Sequence, residues 1–150
     1  MDEERKREIL AGLARQSRGT LMETLGIRYV DAGEGWLEAA MDVDATKHQP
    51  MGILHGGATA ALAESVGSAA SGVMLGDSGR SAVGLELAIN HLRPSRDGTL
   101  TARAEALHIG RRTHLWQIRV VDERGRLVAA SKLTMIVTSG RIDPPVREEG

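Results

Sequence analysis

Gln49, His55, Gly56 and Glu64 are the residues whose types and spacing could act on a carbonyl group. Glu64 is the only charged residue in the stretch from Gly56 to Gly76, GGATAALAESVGSAASGVMLG. An ionised carboxylate buried without partners is so costly that such groups pair, bind metal or shift their pKa, which marks this lone Glu for chemistry. A helix that starts at His55-Gly56-Gly57 leaves free backbone N–H groups at its end, and glycine allows a ligand to come close to them. Aimed at a carbonyl oxygen, such an N–H is an oxyanion-hole donor. Gln49 can add a side-chain donor to the same oxygen, and Glu64, further along the helix, can serve as general base or nucleophile. The residues alone leave a second reading open, in which His55 caps the helix, the glycines form a tight start and Glu64 is bonded to backbone.

A second set is Asn90-His91-Leu92-Arg93-Pro94 at a strand end, with His108-Ile109-Gly110-Arg111-Arg112 before another strand. Arginines and backbone N–H groups near a glycine suit phosphate. By themselves they read equally as solvated strand-end charges and packed histidines. The five histidines show no HExxH or other short paired spacing, and cysteine is absent, which argues against a metal site. Ser65 lies in an incomplete nucleophile elbow, because position 63 is Ala where G-x-S-x-G needs Gly. No Walker A or dinucleotide-binding glycine pattern is present.

These groups must be carried by a chain of 150 residues, which suits one domain with a single core. Nineteen basic and twenty acidic residues give a net charge of −1, so no global field attracts nucleic acid or an anionic membrane. With no Phe, one Tyr and two Trp, base-stacking surfaces are scarce as well. The absence of cysteine removes disulfides and thiol nucleophiles and makes the cytoplasm the default compartment. The N-terminal stretch has the pattern of neither a signal nor a transit peptide. Five Gly, four Ser or Thr and Glu64 make Gly56 to Gly76 a packed interior helix rather than a membrane span.

Asp2 to Gln16 reads as an amphipathic helix with Ile9, Leu10 and Leu13 as its apolar stripe, covering an edge or groove. Period-two alternation from Leu25 predicts a hairpin whose turn is Asp31 to Gly35 and whose second strand carries Leu37, Ala39, Met41 and Val43. Gly67 and Gly72 in the long helix predict close packing against backbone, of this chain or of another subunit. After Gly79 the chain reads as strand, with Leu85, Leu87 and Ile89 on one face and a hairpin turn at Asp122 to Gly125. One apolar helix with five or six strands joined by short turns implies an α+β fold with an antiparallel sheet. The expected organisation is an N-terminal helix and lead-in over 1–20, one domain over 21–140, and a disordered tail over 141–150.

The runs HQPMGILHGGATAALAESVGSAASG, VGLELAINHLRPSRDG and ALHIGRRTHLWQIRVVDERGRLVAASKLT resemble the hotdog-fold acyl-CoA thioesterase superfamily. The resemblance covers Gly26 to Val137 and is strongest to the PaaI-like branch with the 1,4-dihydroxy-2-naphthoyl-CoA, enterobactin proofreading and Arthrobacter-type 4-hydroxybenzoyl-CoA thioesterases. It implies a long helix wrapped by the sheet, homodimers joined edge to edge with active sites at the interface, and homotetramers. It implies that Glu64 is the catalytic carboxylate, that the Gly56 N–H and Gln49 polarise the thioester carbonyl, and that His55 orients the loop. Ser68, Gly84, His91, Arg93, His108, Gly110 and Arg111 are implied as substrate contacts. The substrate would be an aromatic or medium-sized acyl-CoA, with no cofactor beyond the coenzyme A of the substrate and no nucleic-acid or membrane partner. Acyl groups on a carrier protein are an equally compatible substrate. A non-catalytic acyl-CoA-binding module is the rival from another class, and a hotdog hydratase would need a His and Asp pair for which no motif is present. Val66, Ala69, Ala70, Met74 and Val83 are the expected acyl-pocket residues.

Overall fold

The computed structural model describes residues 1–146. Helix α1, Glu3–Ser17, starts where Asp2 accepts a 2.8 Å hydrogen bond from the Arg5 N–H, with Glu3 and Glu4 in its first turn and Arg15 in its last. Leu10 and Leu13 pack on the core, and the Lys6 ammonium meets Asp31 at 2.9 Å, which seats the helix beside the first strand. The expected edge-covering helix is therefore present.

The expected hairpin is present, with a later start and a shorter turn. Leu21–Leu25 forms a short helix, α2, ended by Gly26 in the left-handed region at φ 67°. Strand β1, Arg28–Gly33, and strand β2, Trp36–Asp42, follow, so only Glu34 and Gly35 make the turn. A bulge between Tyr29 and Asp31 turns Ala32 inward opposite Leu37. Gly33 belongs to the strand because the Trp36 indole lies over it: a Cβ there would be 2.3 Å from the ring.

A turn of 3₁₀ helix at Ala45–Lys47 leads to α3, Gly56–Leu75, and then to β3, Ala82–His91; β4, Thr99–Ile109; β5, Thr113–Val121; and β6, Leu127–Val137. The six strands form one antiparallel sheet in the order β1-β2-β4-β5-β6-β3. Inward residues such as Leu100, Ile118, Val120 and Leu133 enclose Leu62, Ala63 and Val66 of α3. Gly67 lets the helix touch the sheet, since a Cβ there would be 2.6 Å from Leu133. Gly72 packs on nothing within this chain, and its Cβ position is open. The half-buried Tyr29 hydroxyl, its pKa pushed up to about 12 by desolvation, donates to the Ser65 carbonyl at 3.3 Å and ties β1 to α3.

The buried polar groups between α3 and β5 were not anticipated. Ser71 Oγ accepts the Trp116 indole N–H at 2.7 Å and lies 3.0 Å from His114 Nδ1. A hydroxyl has two lone pairs and one proton, so the one serine serves both ring nitrogens at once. Burial holds His114 below its ordinary pKa, and Arg80 and His108 add to that shift.

The ends of the sheet differ. Strand β3 is an outer strand, paired with β6 on one side only. A bulge between Gly84 and Glu86 puts Leu85 out of phase with half-buried Leu87 and Ile89, leaving it 60% exposed rather than on their face. Of the expected tail, residues 147–150 lie outside the described residues. Residues 141–146 carry no helix or strand, and the Ile142 N–H donates to Ser81 Oγ at 2.9 Å.

Two serines test the polar account of the core. Ser71→Ala orphans two buried nitrogens and is expected to cost about 1–3 kcal/mol of unfolding free energy in a urea titration. Ser131 is 6% exposed and among the described residues its hydroxyl has no partner, so Ser131→Ala should be neutral or stabilising. The reverse ranking would contradict the bonding described.

Candidate active site

The chain between β2 and α3 is a cross-braced loop. Buried Lys47 donates to the Asp42 carbonyl at 2.7 Å and pairs with Asp44 at 2.9 Å. The Gln49 N–H donates to Ile53 O at 2.8 Å, the Gly52 N–H to Gln49 O at 3.0 Å, and the Leu54 N–H to Ser95 O at 2.7 Å. Gly52, at φ 73°, makes the tight turn possible. Gln49 Oε1 accepts from the Met51 N–H, which fixes the carboxamide orientation and leaves its NH₂ as the outward group.

His55 caps α3: its Nδ1 accepts the Gly57 N–H at 2.8 Å, so its ring proton is on Nε2. Gly57 is needed because a Cβ there would lie 2.8 Å from Nδ1. Among the described residues the Gly56 N–H meets no acceptor. The His91 imidazole stands over Gly56, 3.1 Å from where a Cβ would be. Gln49, Gly56, Thr59, His91 and Arg93 line one cavity of about 350 Å³. Gln49 and Gly56 of the first expected set and His91 and Arg93 of the second thus meet here.

Glu64 does not join them. Its carboxylate lies against Gly84 near the start of β3, whereas Gly56 faces His91 at the end of that strand. It is half-buried, and among the described residues it has neither hydrogen bond nor ion pair. Burial pushes its pKa above the ordinary carboxylate range. The reading in which Glu64 is bonded to backbone is thereby set aside. Ser68, one turn on, donates weakly to Met135 Sδ at 3.7 Å.

A second cavity, of about 420 Å³, lies at this end of β3 and is lined by Arg80, Arg111, Arg112, Val137, Thr138 and Ser139. The Arg80 guanidinium donates to the Arg111 carbonyl at 3.1 Å. Gly110 lets the turn close on His108, whose Nε2 would be 2.5 Å from a Cβ there. The two expected phosphate-binding segments are therefore at opposite ends of the sheet. Arg80 was not foreseen, and its only sequence signal is an isolated cation between Gly79 and Ser81 just before β3. Val66 and Ala70 are core residues and line neither of these cavities, while Met74 and Val83 are exposed. Among the described residues no three His, Asp or Glu side chains converge to hold a metal ion.

A long helix wrapped by a six-stranded antiparallel sheet, with a lone carboxylate and a glycine-led helix start, is the architecture of a hotdog-fold thioester hydrolase. Residues 51–129 match the sequence model of the thioesterase superfamily, and the chain belongs to that family. It is similar to the 1,4-dihydroxy-2-naphthoyl-CoA hydrolase of Escherichia coli K12, 42% identical over 133 residues that cover 88% of this chain and 97% of that protein. It is also similar to the proofreading thioesterase EntH of Klebsiella pneumoniae, 46% identical over 85% of this chain and 93% of that one. Among solved structures, thioesterase HI1161 of Haemophilus influenzae superposes with a TM-score of 0.83 at 42% identity, covering 86% of this chain and 90% of that chain.

Proposed function

We propose that the chain hydrolyses an acyl-CoA thioester in sites built jointly by two subunits. The observation that carries this reading is the separation of Glu64 from the Gly56 and Gln49 donors. Gly84 and His91 are seven residues apart on one extended strand, a span of about 20 Å. A nucleophile must come within about 3 Å of the thioester carbon, and the donors within about 3 Å of its oxygen. One subunit cannot meet both demands at one thioester. If two copies pair their open β3 edges antiparallel about a two-fold axis, the Gly84 end of one strand faces the His91 end of the other. Each Glu64 then comes beside the partner's Gly56 and Gln49, and the dimer has two equivalent sites.

In such a site the carbonyl oxygen accepts from the Gly56 N–H and the Gln49 carboxamide. Glu64 attacks the carbon and expels the coenzyme A thiolate, leaving a mixed anhydride for water to cleave, or it deprotonates a water that attacks in its place. Both routes convert thioester and water to carboxylic acid and thiol, and neither draws on a further cofactor. His55 holds the Gly56-Gly57 turn in shape, and Ser68 stands on the Glu64 side. An unpaired, half-buried carboxylate is a stronger base than a solvated one, which suits either role.

The arginine cavity supports coenzyme A over a bare pantetheine carrier. Three guanidinium groups with Thr138 and Ser139 in one concavity suit nucleotide phosphates. His108 and Gly110 pack together in the turn that leads to Arg111, and in the dimer the partner's His91 and Arg93 would line the other half of the joint site. The similarity to a 1,4-dihydroxy-2-naphthoyl-CoA hydrolase and the exposed Met74 and Val83 support an aromatic or medium-sized acyl group.

Thiol release from aroyl-CoA and fatty acyl-CoA is the direct assay, and binding without release would favour a non-catalytic module. Glu64→Gln should lower kcat by about 10²-fold to 10⁴-fold with intact folding, and near wild-type turnover would remove the mechanism. In the wild type, kcat/KM should fall with acidity through a pKa above the ordinary glutamate range, because the raised value protonates Glu64 early. Arg112→Ala should raise KM for an acyl-CoA about tenfold at constant kcat, the worth of one charge-assisted contact. The same acyl group on pantetheine should show no such rise, and equal effects on both substrates would contradict a nucleotide-binding role.

A further inference from the structure

Glu64 is aimed by something other than bonds, since among the described residues neither carboxylate oxygen accepts a hydrogen bond or meets a cation. The constraint is shape. An ideal Cβ on Gly84 would lie 2.1 Å from Glu64 Oε1 and 3.2 Å from its carboxyl carbon. The carboxylate therefore occupies the volume a side chain at position 84 would fill. Gly84 is not required by its backbone, which is absent from the positive-φ glycines, nor by core packing, since it is exposed on an outer strand. The bulge that follows it, between Gly84 and Glu86, is a local break in the β3–β6 register at the level of the carboxylate.

We propose that Gly84 is a positioning residue: its missing side chain is the notch that receives the Glu64 carboxylate and directs it across the open edge of β3. Gly84 had been expected only as a substrate contact. The inference rests on Glu64 being the reactive carboxylate, and it adds that the sheet, through a vacancy rather than a bond, sets where that carboxylate points. A half-buried side chain displaced from the notch can swing into solvent, so the cost falls on catalysis rather than on folding.

The test is a cycle of Gly84→Ala, Glu64→Asp and the double variant, assayed for thiol release, melting temperature and oligomeric state. Gly84→Ala should lower kcat by about 10²-fold, the usual penalty for a misplacement of about 1 Å, with KM, melting temperature and oligomer size near wild type. Glu64→Asp shortens the acid and vacates the notch, so adding Gly84→Ala to it should cost less than about threefold. The acidic limb of the Gly84→Ala profile should also move toward that of an ordinary glutamate. Wild-type kcat in Gly84→Ala, or the same loss in both the wild-type and Glu64→Asp backgrounds, would overturn the proposal. So would loss of the oligomer in Gly84→Ala that fully accounts for its lost activity. An inactive Glu64→Gln alongside an active Gly84→Ala would sink this inference alone, whereas an active Glu64→Gln would sink the hydrolytic mechanism itself.

Discussion

The path of α3 across β3 governs the rest of the structure. The helix begins beside His91 and carries its carboxylate away toward Gly84, so the group that can attack and the groups that can polarise lie at opposite ends of one strand. That separation gives meaning to features that would otherwise look like defects: an outer strand left open on one side, a glycine within it, a bulge next to it, and a half-buried carboxylate without a partner. An open edge is a liability that a chain ordinarily blunts with charge or a covering element. Here the outer strand instead carries exposed Val83 and Leu85.

The helix meets two demands at once. It must lie deep in the sheet to hold the carboxylate in a low-dielectric setting, and it must remain accessible along one side. Small residues reconcile these demands: Gly67 closes the distance to Leu133, while Ala60, Ala61, Ser65, Ser68 and Ala69 leave a half-buried face without bulk. Ser71, with its bonds to Trp116 and His114, and the Tyr29 hydroxyl on Ser65 fix the helix from two directions. A rotation of α3 would carry Glu64 out of register with Gly84, so these core bonds also bear on the site.

The sequence made the long helix legible because a run of small apolar residues bounded by His-Gly-Gly and Gly76 has few other readings. It also showed the strand-rich half through alternation, and it singled out Glu64 by charge alone. The hairpin is where the alternation puts it, but its turn is shorter: Asp31, Ala32 and Gly33 resemble turn residues, whereas the Trp36 indole and the Tyr29 bulge keep them in the strand. Leu85 was assigned to the wrong face because a bulge breaks the period of two without altering composition. The Ser71 cluster and the arginine cavity join residues more than thirty positions apart, and no local pattern encodes such meetings. The short interval from Gly56 to Glu64 suggests a single site, but the strand behind them shows that their contacts diverge.

The account stands or falls on whether a working site needs two chains. Glu64→Gln and Gln49→Ala each disable every site in their own homodimers, but a mixed dimer concentrates both defects in one site and leaves the other whole. Equal amounts of the two variants, co-expressed with different tags or refolded together, should recover about a quarter of the wild-type thiol-release rate, since half the dimers are mixed and each carries one intact site. Activity in the purified mixed dimer no greater than the mean of the two parents would place Glu64 and Gln49 on the same chain's site and contradict the account.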